Sequence, residues 1–169
     1  SIDLADRLEQ RNDLIKACNT KPRLFIVSTV EALPVAEDIQ LNLEYADIDV
    51  TLWSQPDTFQ ASSYTLESLE KAIKNHDFGL AIMSADDVVI SRKVESAATR
   101  DNVIFELGLF MGSLSRERTF IAFPRGNDSK LASDLQGLTP LTYTDIDERL
   151  DTKNLVTRLV RIIKEKGVK

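Results

Sequence analysis

Glu106 stands inside the run Arg100-Asp101-Asn102-Val103-Ile104-Phe105-Glu106-Leu107-Gly108-Leu109-Phe110-Met111-Gly112, where every other residue from Val103 onward is apolar or glycine. The run predicts a helix over Asp101 to Leu114 that is apolar almost all the way round and therefore belongs in a core. An ionised carboxylate in apolar surroundings is costly, by several kcal/mol, unless it is paired or faces a cleft. Asn102 lies at i−4 from Glu106, so the two share a face and form one narrow polar stripe. That stripe is aimed either at a cleft, where it does chemistry, or at a buried partner such as Arg100. Asp101 fits a helix N-cap or a first-turn acid favoured by the dipole as well as it fits a site. Arg100 fits a clamp on phosphate or carboxylate as well as it fits solvent.

Other candidates are weaker. Ser28-Thr29 follows the first apolar run and offers hydroxyl donors for phosphate or ribose; simple turn chemistry explains them equally. Trp53 ends a strand-like run and fits a ring-stacking platform or a core filler. His76 has no second His and no Cys partner and reads as a surface residue, not a metal ligand. Asp86-Asp87 suits a helical cap, and no metal is called for. Gly108 and Gly112 read as close helix–sheet packing. The chain has no G-x-G-x-x-G, no Walker loop and no G-x-S-x-G, and one His makes a Ser-His-Asp triad doubtful. The chemistry left is what one carboxylate can do with polar helpers.

The elements that must hold these residues alternate. Strands are expected at Arg23 to Ser28, Asp49 to Trp53, Phe78 to Met83, Thr119 to Phe123 and, weakly, Leu141 to Tyr143. Helices are expected at Val35 to Tyr45 with Pro34 in the first turn, at Thr65 to Asn75 with Thr65 as N-cap, at Asp101 to Leu114, and at Asp151 to Lys166. Ser54 to Tyr64 and Ser84 to Thr99 read as loops, and Leu131 to Gln136 as a short helical turn. The order argues for an α/β fold: a flavodoxin-like five-stranded parallel sheet of order 2-1-3-4-5 with helices on both faces. Ligands of such sheets bind beyond the carboxyl ends of the strands at the switch point between strands one and three. Ser28-Thr29, the Trp53 loop and the connection leading to Asp101 all meet there.

Bulk properties narrow the class. The 169 residues suffice for one domain with a sizeable core, and 43% hydrophobic with 28% charged residues is a globular composition. A formal net charge of −6 argues against a general nucleic-acid partner. Cys18 is alone, which fits a reducing, cytoplasmic setting. No apolar run approaches a membrane span and no signal peptide opens the chain. Residues 1–20 read as an N-terminal amphipathic helix, a linker from a preceding domain, with Leu4, Leu8, Asn12, Ile15 and Cys18 near one face. Residues 21–169 read as the domain proper.

Phe25 to Ser28 (FIVS), Asp77-Phe78, Asp86-Asp87, Arg100 to Gly112 (RDNVIFELGLFMG), Arg116 to Phe120 (RERTF) and Ser133 to Gly137 (SDLQG) occur in this order. The pattern, from about Arg23 to Tyr143, resembles the bacterial TIR-like family of predicted nucleotide-binding proteins, effectors of cyclic-nucleotide antiphage systems of the CBASS and Pycsar type. Departures are Ser28-Thr29-Val30 where the family tends to a His-Gly-Ser turn, Thr99 where it usually has Pro, and Ser115 where Gly is usual. The resemblance implies a TIR fold and an effector that hydrolyses NAD+ at the nicotinamide–ribose bond. Glu106 falls on the family's catalytic glutamate, and Ser28, Thr29, Trp53, Arg100, Asp101 and Asn102 are then substrate-binding candidates. NAD+ is substrate, so no cofactor is implied. The implied partners are other TIR domains and a sensor domain for a cyclic nucleotide in the same polypeptide. A TIR module that binds nucleotide or self-associates without turnover, and a nucleoside deoxyribosyltransferase-like enzyme, are the alternatives.

Overall fold

The computed structural model describes residues 3–19, 21–54, 66–84, 105–126 and 137–169. β1 (Arg23–Ser28), β3 (Phe78–Ile82) and β4 (Thr119–Pro124) are buried over almost their whole length, as apolar strands covered on both faces must be. β2 (Asp49–Ser54) and β5 (Thr139–Ile146) flank them. The helices are α1 (Leu4–Asn19), α2 (Leu33–Leu43), α3 (Leu66–Lys74), α4 (residues 105–114) and α5 (Lys153–Lys166). Pro34 sits at the start of α2, where its missing N–H costs nothing.

The first five strands are parallel in the order β2-β1-β3-β4-β5, as expected. The expectation of a purely parallel five-stranded sheet is corrected by β6 (Arg149–Asp151), which adds to β5 antiparallel and makes the sheet six-stranded and mixed. Asp147 (φ 51) and Glu148 (φ 61) supply the positive φ pair of a type I′ hairpin turn. An Asp-Glu turn lacks the usual Asn-Gly signal, and β6 carries a single apolar residue, Leu150, which is why the sequence hides this strand. Asp151, expected to open the last helix, instead ends β6, and its Oδ1 accepts a hydrogen bond from Lys153 N at 3.0 Å.

Strand alternation divides the core in two. Leu24, Ile26, Leu80, Ile82 and Phe120 meet α2 and α5 on one face. Phe25, Val27, Ala81, Met83 and Ile121 meet α3 and α4 on the other. At the amino ends of the strands Asp77, fully buried, ties several segments together. Its Oδ2 accepts from Arg23 N at 2.9 Å and Oδ1 from Lys169 N at 3.2 Å. Arg118 lies over the Phe78 ring and donates to Gly167 O at 2.9 Å. The RERTF and Asp77-Phe78 pieces therefore fasten this edge of the sheet. In α1, Leu4 and Leu8 are 69% and 51% exposed, so the apolar face expected there is not buried at that end of the helix.

Ser115 links α4 to the 3-10 turn Arg116–Arg118 with φ 76 and ψ 162, a backbone region nearly reserved for glycine. Ser115→Gly is expected to stabilise the domain by about 1 kcal/mol, the relief of strain exceeding the added unfolded-state entropy. A urea midpoint that does not rise would contradict the strain.

Candidate active site

α4 carries Glu106, the candidate catalytic carboxylate. β3 and β4 are parallel, so the segment joining them must run back against the strands, and the amino end of α4 lies toward their carboxyl ends. Glu106, Phe110 and Leu114 recur every four residues and are buried, as is Leu107. Glu106 is thus on the sheet-facing side of the helix, only 3% exposed, and not on the solvent side. Phe110, one turn further on, lies directly on Gly79 of β3: a Cβ there would sit 2.7–2.9 Å from three ring carbons. That contact sets how closely α4 approaches the sheet. Glu106 lies about 6 Å nearer the carboxyl edge, four residues at the helical rise. Glu106 is not without an interaction partner.

Gly79→Ala follows as a test of this packing. The added methyl must push Phe110 and α4 outward, which is expected to cost about 1–3 kcal/mol and to displace Glu106. The urea midpoint should fall accordingly; an unchanged midpoint would show that Gly79 does not fix the helix. Gly108 and Gly112, expected to pack closely on the sheet, do not: both are exposed, and a methyl group added to either would meet no described atom within 4 Å. Close packing uses Gly79, which no sequence motif marked.

The neighbouring strand ends supply polar groups. Trp53 is in register with Val27 and packs beside Phe25, ring centroids 5.8 Å apart, so it lies on the same sheet face as Glu106. Ser28 has the opposite parity and falls on the α2 face. Among the described residues its Oγ is buried without a hydrogen-bond partner, an unusual state for a hydroxyl. Thr29, buried, shapes the next turn: its Oγ1 and carbonyl both accept from Ala32 N, at 3.3 and 3.2 Å, which starts α2. Tyr143, not anticipated as a site-supporting residue, donates from its hydroxyl to Met83 O at 2.5 Å and pins the end of β3. A tyrosine among the threonines of an alternating strand was the available signal.

Arg100, Asp101 and Asn102 lie outside the described residues, as do Asp86 and Asp87. His76 is not a surface residue. It is 9% exposed, its Nδ1 2.6 Å from Ala72 O and its Nε2 2.9 Å from Thr51 Oγ1, with its ring against Phe25. It sits one residue before the Asp77 cluster, at the strand ends opposite the site. Among the described residues no group of three or more His, Cys, Asp or Glu side chains could hold a metal ion, and no helix is long and apolar enough to cross a membrane.

What the arrangement offers is a buried carboxylate among apolar residues on one face of a parallel sheet, with the Trp53 indole on the same face and Ser28 and Thr29 at the carboxyl end of β1. Low dielectric makes such a fixed charge more effective on a positive charge developing nearby. Comparison with known proteins agrees in placing the chain. Residues 23–145 match the family model described as CAP12/Pycsar effector protein, TIR domain. The chain is 49% identical over 140 residues to the Pycsar effector protein PaPycTIR of Pseudomonas aeruginosa, covering 83% of this chain and 45% of that protein. It is 41% identical over 151 residues to BcPycTIR of Burkholderia cepacia, covering 89% and 49%. It is 41% identical over 132 residues to CD-NTase-associated protein 12 of Niabella drilacis, covering 76% and 41%. The chain thus spans about half the length of the curated relatives it matches. A prokaryotic SEFIR domain shares the fold, with a TM-score of 0.56 at 16% identity over 85% of this chain and 92% of that one.

Proposed function

The chain belongs to the CAP12/Pycsar effector TIR-domain family, and on that premise we propose that it is an NAD+ hydrolase with Glu106 as its catalytic carboxylate. The observation that carries the proposal is the position of Glu106: 3% exposed, on the sheet-facing side of α4, toward the carboxyl edge of the strands.

The chemistry suits one carboxylate. Nicotinamide in NAD+ is a cationic leaving group. When the bond from ribose C1′ to the ring nitrogen breaks, the electron pair goes to that nitrogen and nicotinamide departs neutral. No general acid is required, unlike in most glycosidases, which use two carboxyl groups. Positive charge develops on the ribose as an oxocarbenium ion, and an ionised Glu106 beside it lowers the barrier electrostatically. Water then adds at C1′ and loses its proton, giving ADP-ribose; capture by the adenine end gives the cyclised product instead. In this reading Asn102, Asp101 and Arg100 order the pocket or touch substrate, Ser28 and Thr29 serve ribose and phosphate, and Trp53 serves the ring. The buried, unpartnered Ser28 Oγ supports a polar ligand atom at the end of β1.

The proposal extends to control. Clustering of TIR domains switches activity on in cytoplasmic antiphage defence, ending in abortive infection. A cyclic-nucleotide sensor elsewhere in the polypeptide drives the clustering, and residues 1–20 link the sensor to this domain. Product analysis tests the reaction class. NAD+ should yield nicotinamide with ADP-ribose or its cyclic form, while a deoxynucleoside supplied with a free base should undergo no exchange. Base exchange with intact NAD+ would overturn the assignment.

A further inference from the structure

We propose that the open edge of β2 receives an extended basic segment of a partner protein as an added strand, whose side chains on one face alternate basic, apolar and basic against α2. The two edges of the sheet differ. β6 covers one of them with a short hairpin strand that leads at once into α5. At the other, β2 pairs with β1 alone, and among the described residues no strand meets its outer side. Asp49 N donates to Pro22 O, beside β1, at 2.9 Å. Backbone groups alternate sides along a strand, so Val50 and Leu52 turn their N–H and C=O groups outward. The six residues of β2 are thus a template for strand addition.

The groove beside this edge sets which strand fits. Glu37 and Leu41 of α2 and Glu44 at its carboxyl end form one exposed row. Another side of α2 is already taken, since Asp38 and Asn42 hydrogen-bond Thr152 at the start of α5. The row borders a groove of about 720 Å³ that reaches Asp49 and Val50. α2 joins two parallel strands and runs antiparallel to them, which lays the row along β2. Glu37 and Leu41 are about 6 Å apart along the helix axis. That is close to the roughly 6.7 Å between side chains on one face of a strand. Every second residue of an added strand therefore meets the next member of the row. Leu41, 62% exposed, is an apolar contact between two carboxylates. At the amino end of β2, Lys21 pairs with Asp47 at 3.2 Å and Lys164 Nζ donates to Asp47 O at 3.3 Å. Among the described residues neither Glu37 nor Glu44 has an ion-pair partner. Arginine suits both positions: its guanidinium pairs with a carboxylate while its stem covers apolar surface, such as the 93% exposed Tyr45 beside Glu44. The basic side chains of α5 are helical and cannot supply an extended strand. The inference concerns binding at this edge and stands or falls apart from NAD+ turnover.

The probe is the peptide Thr-Arg-Thr-Leu-Thr-Arg-Thr, fluorescently labelled and titrated with the domain at low NaCl. Fluorescence anisotropy should show saturable binding that weakens as NaCl rises. Replacing both arginines of the peptide with glutamate should abolish it. Methylating the backbone nitrogens of one alternate set of peptide residues should abolish binding, because those N–H groups face β2; methylating the other set should leave binding intact. Glu37→Lys with Glu44→Lys should weaken binding about tenfold or more, with unchanged circular dichroism. The methylated peptides read the wild-type domain, so the result does not depend on how the variant folds. Absence of saturable binding, methylation that acts equally in both sets, affinity indifferent to the two substitutions, or a domain that pairs with a second copy at this edge and excludes the peptide would each overturn the proposal.

Discussion

Glu106→Gln is expected to lower nicotinamide release from NAD+ by about a hundredfold or more, the scale of losing one preorganised electrostatic contact to a transition state. The substitution keeps the side chain's length and shape and removes only its charge. Because Glu106 is only 3% exposed, water cannot substitute for the lost charge as it would on an exposed helix. The neutral amide is still polar and can hydrogen-bond where Glu106 has its interaction, at lower desolvation cost, so the urea midpoint should stay close to that of the wild type. A large loss of stability alongside the loss of activity would instead mark Glu106 as half of a structural ion pair. Steady-state nicotinamide release and urea titration of the same two proteins separate the readings.

Asp77→Ala is expected to have the largest effect on stability, about 2–4 kcal/mol, without touching the site. The carboxylate is fully buried and accepts from two backbone N–H groups, Arg23 N and Lys169 N. Its contact with the Arg23 side chain, 3.5 Å to a guanidinium that is 41% exposed, contributes little. The cost comes from orphaned backbone donors at the start of β1 and at the end of the chain. Asp77→Asn keeps an acceptor oxygen and should lose roughly half as much. Urea midpoints of the two variants test this; equal losses would point to the charge, and no loss to a cluster without energetic weight.

The sequence announced the sheet's interior well because β1, β3 and β4 are uninterrupted apolar runs, and that type of run has few other uses. It announced its edge poorly. β5 is half-exposed and contains Pro140, which shortened the expected strand, and β6 shows no alternation in three residues. Glu106 was legible because a carboxylate among apolar residues breaks a pattern, and the helix supplies the pattern. The face it occupies was not, since an almost uniformly apolar helix does not say which side meets the sheet; Phe110 resting on Gly79 decides that. The same ambiguity misled the reading of Gly108 and Gly112. His76 looked like a surface residue because its partners, Thr51 and Ala72, are identified by register and helix geometry and not by sequence neighbours. Ser28 was singled out as a donor at a strand end, yet its burial without a partner emerges only when the sheet is assembled.

The most direct test of the central claim is nicotinamide release by the wild-type domain when it is forced to cluster, for instance through a fused oligomerising helix, with Glu106→Gln in the same arrangement as control. The account predicts that the clustered wild type consumes NAD+ and releases one nicotinamide for each ADP-ribose unit formed, linear or cyclic, while the control leaves NAD+ intact. A folded, clustered wild type that binds NAD+ and leaves it whole, or a control that releases nicotinamide at the wild-type rate, would contradict it.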